Sequence, residues 1–308
     1  MNSQVSKGTA FGFAAYLLWG IFPLFFKLLD DSGAMEILLH RVVWSLLICL
    51  VLLAATHAFG ELRGVLRSPR QLALLSAAAV AIAVNWGLYI YAVNSDQVIE
   101  ASLGYFINPL VTVTLGVLVL HEKLRVVQWT AVAVGALAVV VLTVAYGHPP
   151  LIAMTLAVSF GTYGLIKKQV GGSVGALSGL TTETLVLTPI ALIGILVIEL
   201  RGDGTFAAHA PWQAVLLISA GFVTVAPLLL FAAAARRVPL VTLGLLQYLT
   251  PVLQLLCGVV ILGEHMAPSR WFGFSLVWLA LVLLSADSLA TARRTRRASR
   301  SPELVPAS

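Results

Sequence analysis

A chain of 308 residues that is 59% hydrophobic and only 10% charged is not an ordinary soluble domain, in which about a quarter of the residues carry charge. Its net charge of +6 would suggest nucleic acid in a soluble protein; here the placement of the charges carries more than their sum. The apolar residues fall into runs of roughly 20, the length that crosses a hydrocarbon core about 30 Å thick, and the sequence predicts an all-α membrane protein with ten transmembrane helices.

In chain order the spans are expected at 7–29, 34–57, 70–93, 99–120, 126–146, 149–168, 176–198, 212–235, 239–262 and 269–288. The first is too long for the apolar core of a signal peptide and no small-residue cleavage site follows it, so it reads as retained. The loops are too short to house a soluble enzyme. No Gly-rich phosphate loop ending in Lys-Ser or Lys-Thr is present, which excludes a visible ATPase. Cys49 and Cys257 lie inside spans, so there is no disulfide framework.

Of 19 basic residues, 15 fall on one side: Lys7; Arg63, Arg67 and Arg70; Lys123 and Arg125; Lys167 and Lys168; Arg236 and Arg237; and Arg293, Arg294, Arg296, Arg297 and Arg300. Only Arg201 and Arg270 fall on the other side, while Lys27 and Arg41 lie within spans. The positive-inside rule then makes both termini cytoplasmic. The stretch 291–308, rich in Arg, Ser and Pro, reads as a disordered basic cytoplasmic tail able to rest on anionic headgroups.

The chain repeats itself. A shift of 142 lays Pro109 on Pro251, Gly116 on Gly258, Glu122 on Glu264 and Trp129 on Trp271, and a shift of 144 lays Gly20 on Gly164. The halves are 1–146 and 147–290. Five spans is an odd number, so the second copy enters the membrane from the opposite side, with Glu122 at the cytoplasmic surface and Glu264 at the outer one. Inverted repeats suit two near-equivalent states, each open to one side. Pro109 and Pro251, which each remove a backbone donor inside a span, are candidate hinges. Gly8 with Gly12, Gly161 with Gly164, and Ala131 with Gly135 read as close-packing contacts.

An ionisable residue inside a span is costly and is functional by default. His40, Arg41, Trp44 and Ser45 are spaced to form one polar and aromatic face. Arg41 is either a grip for a substrate carboxylate or phosphate, or a buried structural partner of Glu36 or Glu183. Glu183, the acid well inside span seven, is either a proton-coupling site or a fixed counterion for Arg41. Asn85, Trp86 and Tyr89, then Tyr105, Asn108 and Thr112, then Gln247, Tyr248 and Gln254, with Trp19 and Tyr163, are candidate walls of a central site or, one by one, packing residues. Aromatic walls with a few amides suit a small amphiphilic organic molecule. Lys27 reads as snorkelling to Asp30, Asp31 and Glu36. Gly171, Ser173 and Gly175 lack the strand that a nucleophile elbow requires, and no metal-ligand spacing occurs.

The run from Glu100 to Leu110, with His40–Ser45 and Trp19–Gly20, resembles the RarD proteins of the EamA branch of the drug/metabolite transporter superfamily, and the similarity extends over about 8–290. Asn85-Trp86, Tyr163-Gly164-Leu165, Glu183-Thr184 and Gln247-Tyr248 with Pro251 are similar to further pieces of the same pattern. The resemblance implies a ten-helix carrier of the inner (plasma) membrane with cytoplasmic termini, in a group often named for chloramphenicol sensitivity. The expected function is a secondary carrier, an exporter or permease for a small amphiphilic or zwitterionic metabolite or drug. The alternatives are an uncoupled facilitator or channel, and an intramembrane enzyme. The expected partners are a small-molecule substrate, the lipid bilayer and protons as coupling ion; no cofactor, metal or nucleic acid is expected.

Overall fold

The computed structural model describes residues 3–120, 124, 126–170, 173–206, 211–235, 237 and 246–298. Glu122, the basic residues 123, 125, 236 and 300, Gly171 and the expected start of span nine at 239–245 lie outside them.

The described residues form α1 (Ser3–Gly20), α2 (Phe22–Lys27), α3 (Ala34–Ala55), α4 (Phe59–Arg67), α5 (Pro69–Asn94), α6 (Val98–Leu120), α7 (Val126–Tyr146), α8 (Leu151–Val170), α9 (Ala176–Arg201), α10 (Pro211–Ala235), α11 (Leu249–Leu256), a π-helical turn (Cys257–Ile261) and α12 (Pro268–Ala298). Helix is the expected form, because hydrocarbon offers no partner for backbone polar groups and a helix satisfies them internally. Among the described residues, eight helical stretches are long and apolar enough to cross a membrane, while Leu151–Lys167 and Leu249–Ile261 are apolar but shorter.

Three expectations are corrected. The first span is not one helix: α1 ends at Gly20 and α2 restarts at Phe22. Pro23 has no N–H to give to the carbonyl of Trp19. That carbonyl instead accepts the Gln254 side chain at 3.2 Å, the Tyr16 carbonyl accepts Thr250 at 2.9 Å, and the Gly20 carbonyl accepts the Cys257 thiol at 3.8 Å. One polar face of α11 and its π-helical continuation thus serves the broken end of α1. The tail, expected to lose order from Thr291, continues as helix through Ala298. Lys27 pairs with Asp30 at 3.0 Å and Asp96 at 2.9 Å rather than with Glu36.

Helix contacts form a pattern that survives exchange of the halves. α8 packs on α5 and α6 as α1 packs on α10 and α11; α3 meets α10 as α9 meets α5; and α3 with α9, α6 with α11 and α7 with α12 are self-corresponding. Two apolar clusters fill the interior, one around Phe26, Ile90 and Leu217, the other around Phe106, Leu142 and Phe274.

Carboxylates tie the helix ends. Glu36, at the start of α3, accepts the backbone amides of Thr205 at 2.7 Å and Phe206 at 3.2 Å and the Thr205 hydroxyl at 3.1 Å. Glu61 in α4 accepts the Gly175 amide and the Ser178 hydroxyl at the start of α9. Glu264 accepts Val98 at 2.7 Å and Ile99 at 2.9 Å at the start of α6, where a carboxylate is favoured by the helix dipole. Glu264 is partly buried in a loop, and burial pushes its carboxyl above the ordinary glutamate value while the two amides pull the other way.

Candidate functional site

Arg41 is 3% exposed and sits in the middle of α3. Its guanidinium lies 4.1 Å from the centre of the Trp86 ring, 5.5 Å from Phe26 and 5.8 Å from Phe22. Its Nε donates to the Thr224 hydroxyl of α10 at 2.5 Å. Neither structural partner expected from the sequence is there: Glu36 is taken by the α9–α10 connection and Glu183 by another cation. Among the described residues Arg41 has no ion pair.

That other cation is Lys167. Its ammonium meets Glu183 at 2.7 Å, the Tyr163 hydroxyl donates to the same carboxylate at 3.3 Å, and the lysine stands 5.7 Å from the Tyr163 ring. Glu183 is 2% exposed in the threonine-rich part of α9. The flanking threonines are no misfit there, because Thr181, Thr182, Thr184 and Thr188 return their hydroxyls to carbonyls one turn back.

The single face expected of α3 is two. Arg41 turns toward α2, α5 and α10, whereas His40 stacks on Phe206 at 4.7 Å and accepts the Trp44 indole N–H at 3.3 Å. The other ring nitrogen of His40 is buried without a partner among the described residues. Ser45 donates to the Gly221 carbonyl at 3.4 Å.

Asn85 is a knot among helices: its amide donates to the Leu156 carbonyl at 3.0 Å and the Ser159 hydroxyl at 3.1 Å, and its oxygen accepts Tyr105 at 3.1 Å. Tyr105 also meets Tyr89 and Phe160, and Phe160 meets Tyr163, so an aromatic chain runs from the Arg41 cage toward Glu183. Trp19 packs on Tyr16 and Phe231 beside the break in the first span. Asn108 is buried with its oxygen unpartnered among the described residues. Tyr248 packs on the Phe106–Phe274 cluster, away from Arg41, and Gln247 is half-buried beside it. Pro251 falls in the first turn of α11, after a turn at Tyr248, whereas Pro109 sits inside the continuous α6.

Sequence reasoning passed over Lys167, Thr224 and Phe206. Lys167 was assigned to topology, although it follows Tyr163 by four residues and so shares its helix face. Thr224 is a lone hydroxyl in an apolar span. Phe206 lies in a connection and carried no signal.

This helical arrangement, with eight described stretches long and apolar enough to cross a membrane, is that of an integral membrane protein. The sequence profile of the EamA-like transporter family matches twice, over residues 6–144 and 149–286, and the chain belongs to that family. Several relatives carry the RarD name, and others are named only as uncharacterized transporters. Protein RarD of Streptomyces exfoliatus is 54% identical over 96% of this chain and 93% of its own length. Protein RarD of Escherichia coli is 40% identical over 96% and 99%, and a chloramphenicol-sensitive protein RarD of Pseudomonas aeruginosa is 31% identical over 94% and 97%. A solved structure titled only as the crystal structure of a protein is similar in fold, with a TM-score of 0.56 at 18% identity, over 90% of this chain and 96% of that one. The family implies a small-molecule substrate and a membrane setting.

Proposed function

We propose that the chain is a secondary carrier of the inner membrane that works by alternating access. It has ten spans, arranged as two inverted five-helix repeats at 1–146 and 147–290, with both termini cytoplasmic. The observation that carries this reading is the exchange pattern of the main helix contacts, in which α8 on α5 and α6 corresponds to α1 on α10 and α11, and α9 on α5 to α3 on α10. Two interchangeable halves provide two access states of similar energy, with the ligand between them. The break between α1 and α2, beside Trp19, supports the same reading, since discontinuous spans accompany substrate sites in carriers. The cargo is a small amphiphilic organic molecule, exported and driven by its own gradient or by protons, with Glu183 as the group to test for coupling. Arg41, Trp86, Trp19, His40, Trp44, Asn85, Tyr105, Asn108, Tyr163, Gln247 and Tyr248 are its proposed surroundings. The printed name of the Pseudomonas relative places chloramphenicol among the ligands to try.

Accessibility of single cysteines at positions 44 and 163 tests the reading in proteoliposomes, with Cys49→Ala and Cys257→Ser as background. Pro109→Ala and Pro251→Ala, one in each repeat, shift labelling of the two cysteines in opposite directions if access alternates. Simultaneous labelling of both from both sides identifies a channel, and unchanged labelling in both variants removes the prolines as hinges.

A further inference from the structure

Among the described residues two cations, Arg41 and Lys167, turn toward the helix-packed interior, and they are treated differently. Lys167 is matched by Glu183 at 2.7 Å, with Tyr163 completing the carboxylate's shell. Arg41 is buried more deeply and meets only rings and one neutral hydroxyl among the described residues. An unmatched charge at that depth costs several kcal/mol on an order-of-magnitude basis. Trp86 covers the face of the guanidinium, and stacking on a face leaves the N–H edge available. Thr224 takes Nε alone, so the two terminal nitrogens still present the fork that fits a carboxylate in bidentate fashion. A second, independent observation points to the same place. Tyr89 is 3% exposed, its hydroxyl has no hydrogen-bond partner among the described residues, and its ring meets Phe26, the same ring that lies 5.5 Å from Arg41.

We propose that the transported ligand is a monoanion with a flat apolar body and one carboxylate, held by the terminal nitrogens of Arg41 with the Tyr89 hydroxyl. In the same scheme Lys167 is a tethered ammonium that fills the place at Glu183 which a substrate amine would take. This deepens the carrier reading and rests on it. The charge balance selects the class. With Glu183 neutralised from within, the described interior keeps one unmatched positive charge, Arg41, and a single negative charge on the ligand cancels it. A zwitterion would bring an ammonium with no carboxylate to receive it, and an amine would add to the imbalance. Phe22, Phe26 and Trp86 give the body of the ligand ring surfaces to lie against.

Four probes that share one ring and differ in charge test the inference: 3-phenylpropionate, phenylalanine, phenethylamine and 3-phenylpropanol, each titrated against the thermal unfolding of the detergent-purified full chain. The expected result is a saturable stabilisation by 3-phenylpropionate alone. Arg41→Gln weakens it by about tenfold or more, the scale of a lost charge-assisted hydrogen bond, while Arg41→Lys keeps part of it. Lys167→Met exposes Glu183 and brings in phenylalanine or phenethylamine, and Lys167→Met with Glu183→Gln removes that gain, which separates vacancy of the carboxylate from damage to the fold. Stabilisation of the unaltered protein by phenethylamine or phenylalanine as strongly as by the carboxylate overturns the inference, and so does an Arg41→Gln response equal to the original. Silence from all four probes overturns it as well. In each of these cases the carrier reading is judged separately by cysteine accessibility.

Discussion

Gly221 is where α10 comes closest to α3, and replacing it by alanine is the most direct way to disturb Arg41 without touching it. A Cβ at this position would stand 2.6 Å from both the carbonyl carbon and the Cβ of Trp44, and 2.8 Å from the Ser45 amide nitrogen. These are mostly backbone atoms, so no rotamer change relieves the contact and the helices must part by roughly 0.8 Å to restore ordinary carbon contacts. Thr224 is one turn further along α10. The same displacement would stretch its 2.5 Å bond with Arg41 to roughly 3.3 Å, at the limit of a useful hydrogen bond. Overpacking costs about 1–3 kcal/mol, against which alanine recovers about 0.5–1 kcal/mol of helix propensity over glycine. Gly164→Ala is the control: that glycine is also helical but has nothing within 4 Å of the new methyl, so it gains the propensity without the clash. Unfolding by graded SDS, followed by tryptophan fluorescence, should separate the two alanine variants by about 1–3 kcal/mol, the overpacking cost alone, because the propensity gain is common to both. Gly221→Ala as stable as Gly164→Ala would refute the close approach and, with it, the placement of Thr224 on Arg41.

Three further outcomes are expected. Because burial raises the Glu264 carboxyl above the ordinary glutamate value of 4.5, its contribution to stability is present at low pH and is lost as pH rises through the raised value. Thermal unfolding of the unaltered protein should therefore strengthen, relative to Glu264→Gln, as pH falls toward 4.5; parallel curves would contradict this. A cysteine at Arg201 should react with an impermeant thiol reagent on intact cells and one at Arg67 should not, given the 15-to-2 division of basic residues between the two sides, and equal labelling would overturn the orientation. In double-mutant cycles, Arg41→Gln and Glu183→Gln should add to within about 0.5 kcal/mol because the two residues share no contact. Lys167→Met and Glu183→Gln should instead couple by about 1 kcal/mol or more, part of the pair being solvent-exposed.

Hydropathy alone located most of the helices. The run 34–57 became Ala34–Ala55 and 99–120 became Val98–Leu120, since a long apolar run has one stable form in lipid. The break after Gly20 was also written in the chain, in the interval from Trp19 to Pro23, but a hydropathy window averages over a missing donor. Within the site, local spacing was legible: His40 and Trp44, one turn apart, are hydrogen-bonded. The partners of Arg41 and Glu183 were not, because Thr224 lies 183 positions from Arg41 and only packing decides which helices meet. Arg41 and Glu183, matched by charge on the page, face different neighbours in space. Lys167 misled for a physical reason as well. A lysine near a span end normally turns outward to water, and this one turns inward to a carboxylate.

The cage around Arg41 also bears on how the protein is made. α3 carries twelve Leu, Ile and Val residues besides its arginine. At about −0.3 to −0.6 kcal/mol each, they outweigh the cost of roughly +2.5 to +3.5 kcal/mol for one central arginine during insertion. The helix can therefore enter the bilayer before α5 or α10 has been synthesised, holding its guanidinium bare until Trp86 and then Thr224 arrive. Biogenesis and recognition are thereby decoupled at this residue: the translocon accepts α3 on its leucines, and the arginine is left free to be selected for what it binds.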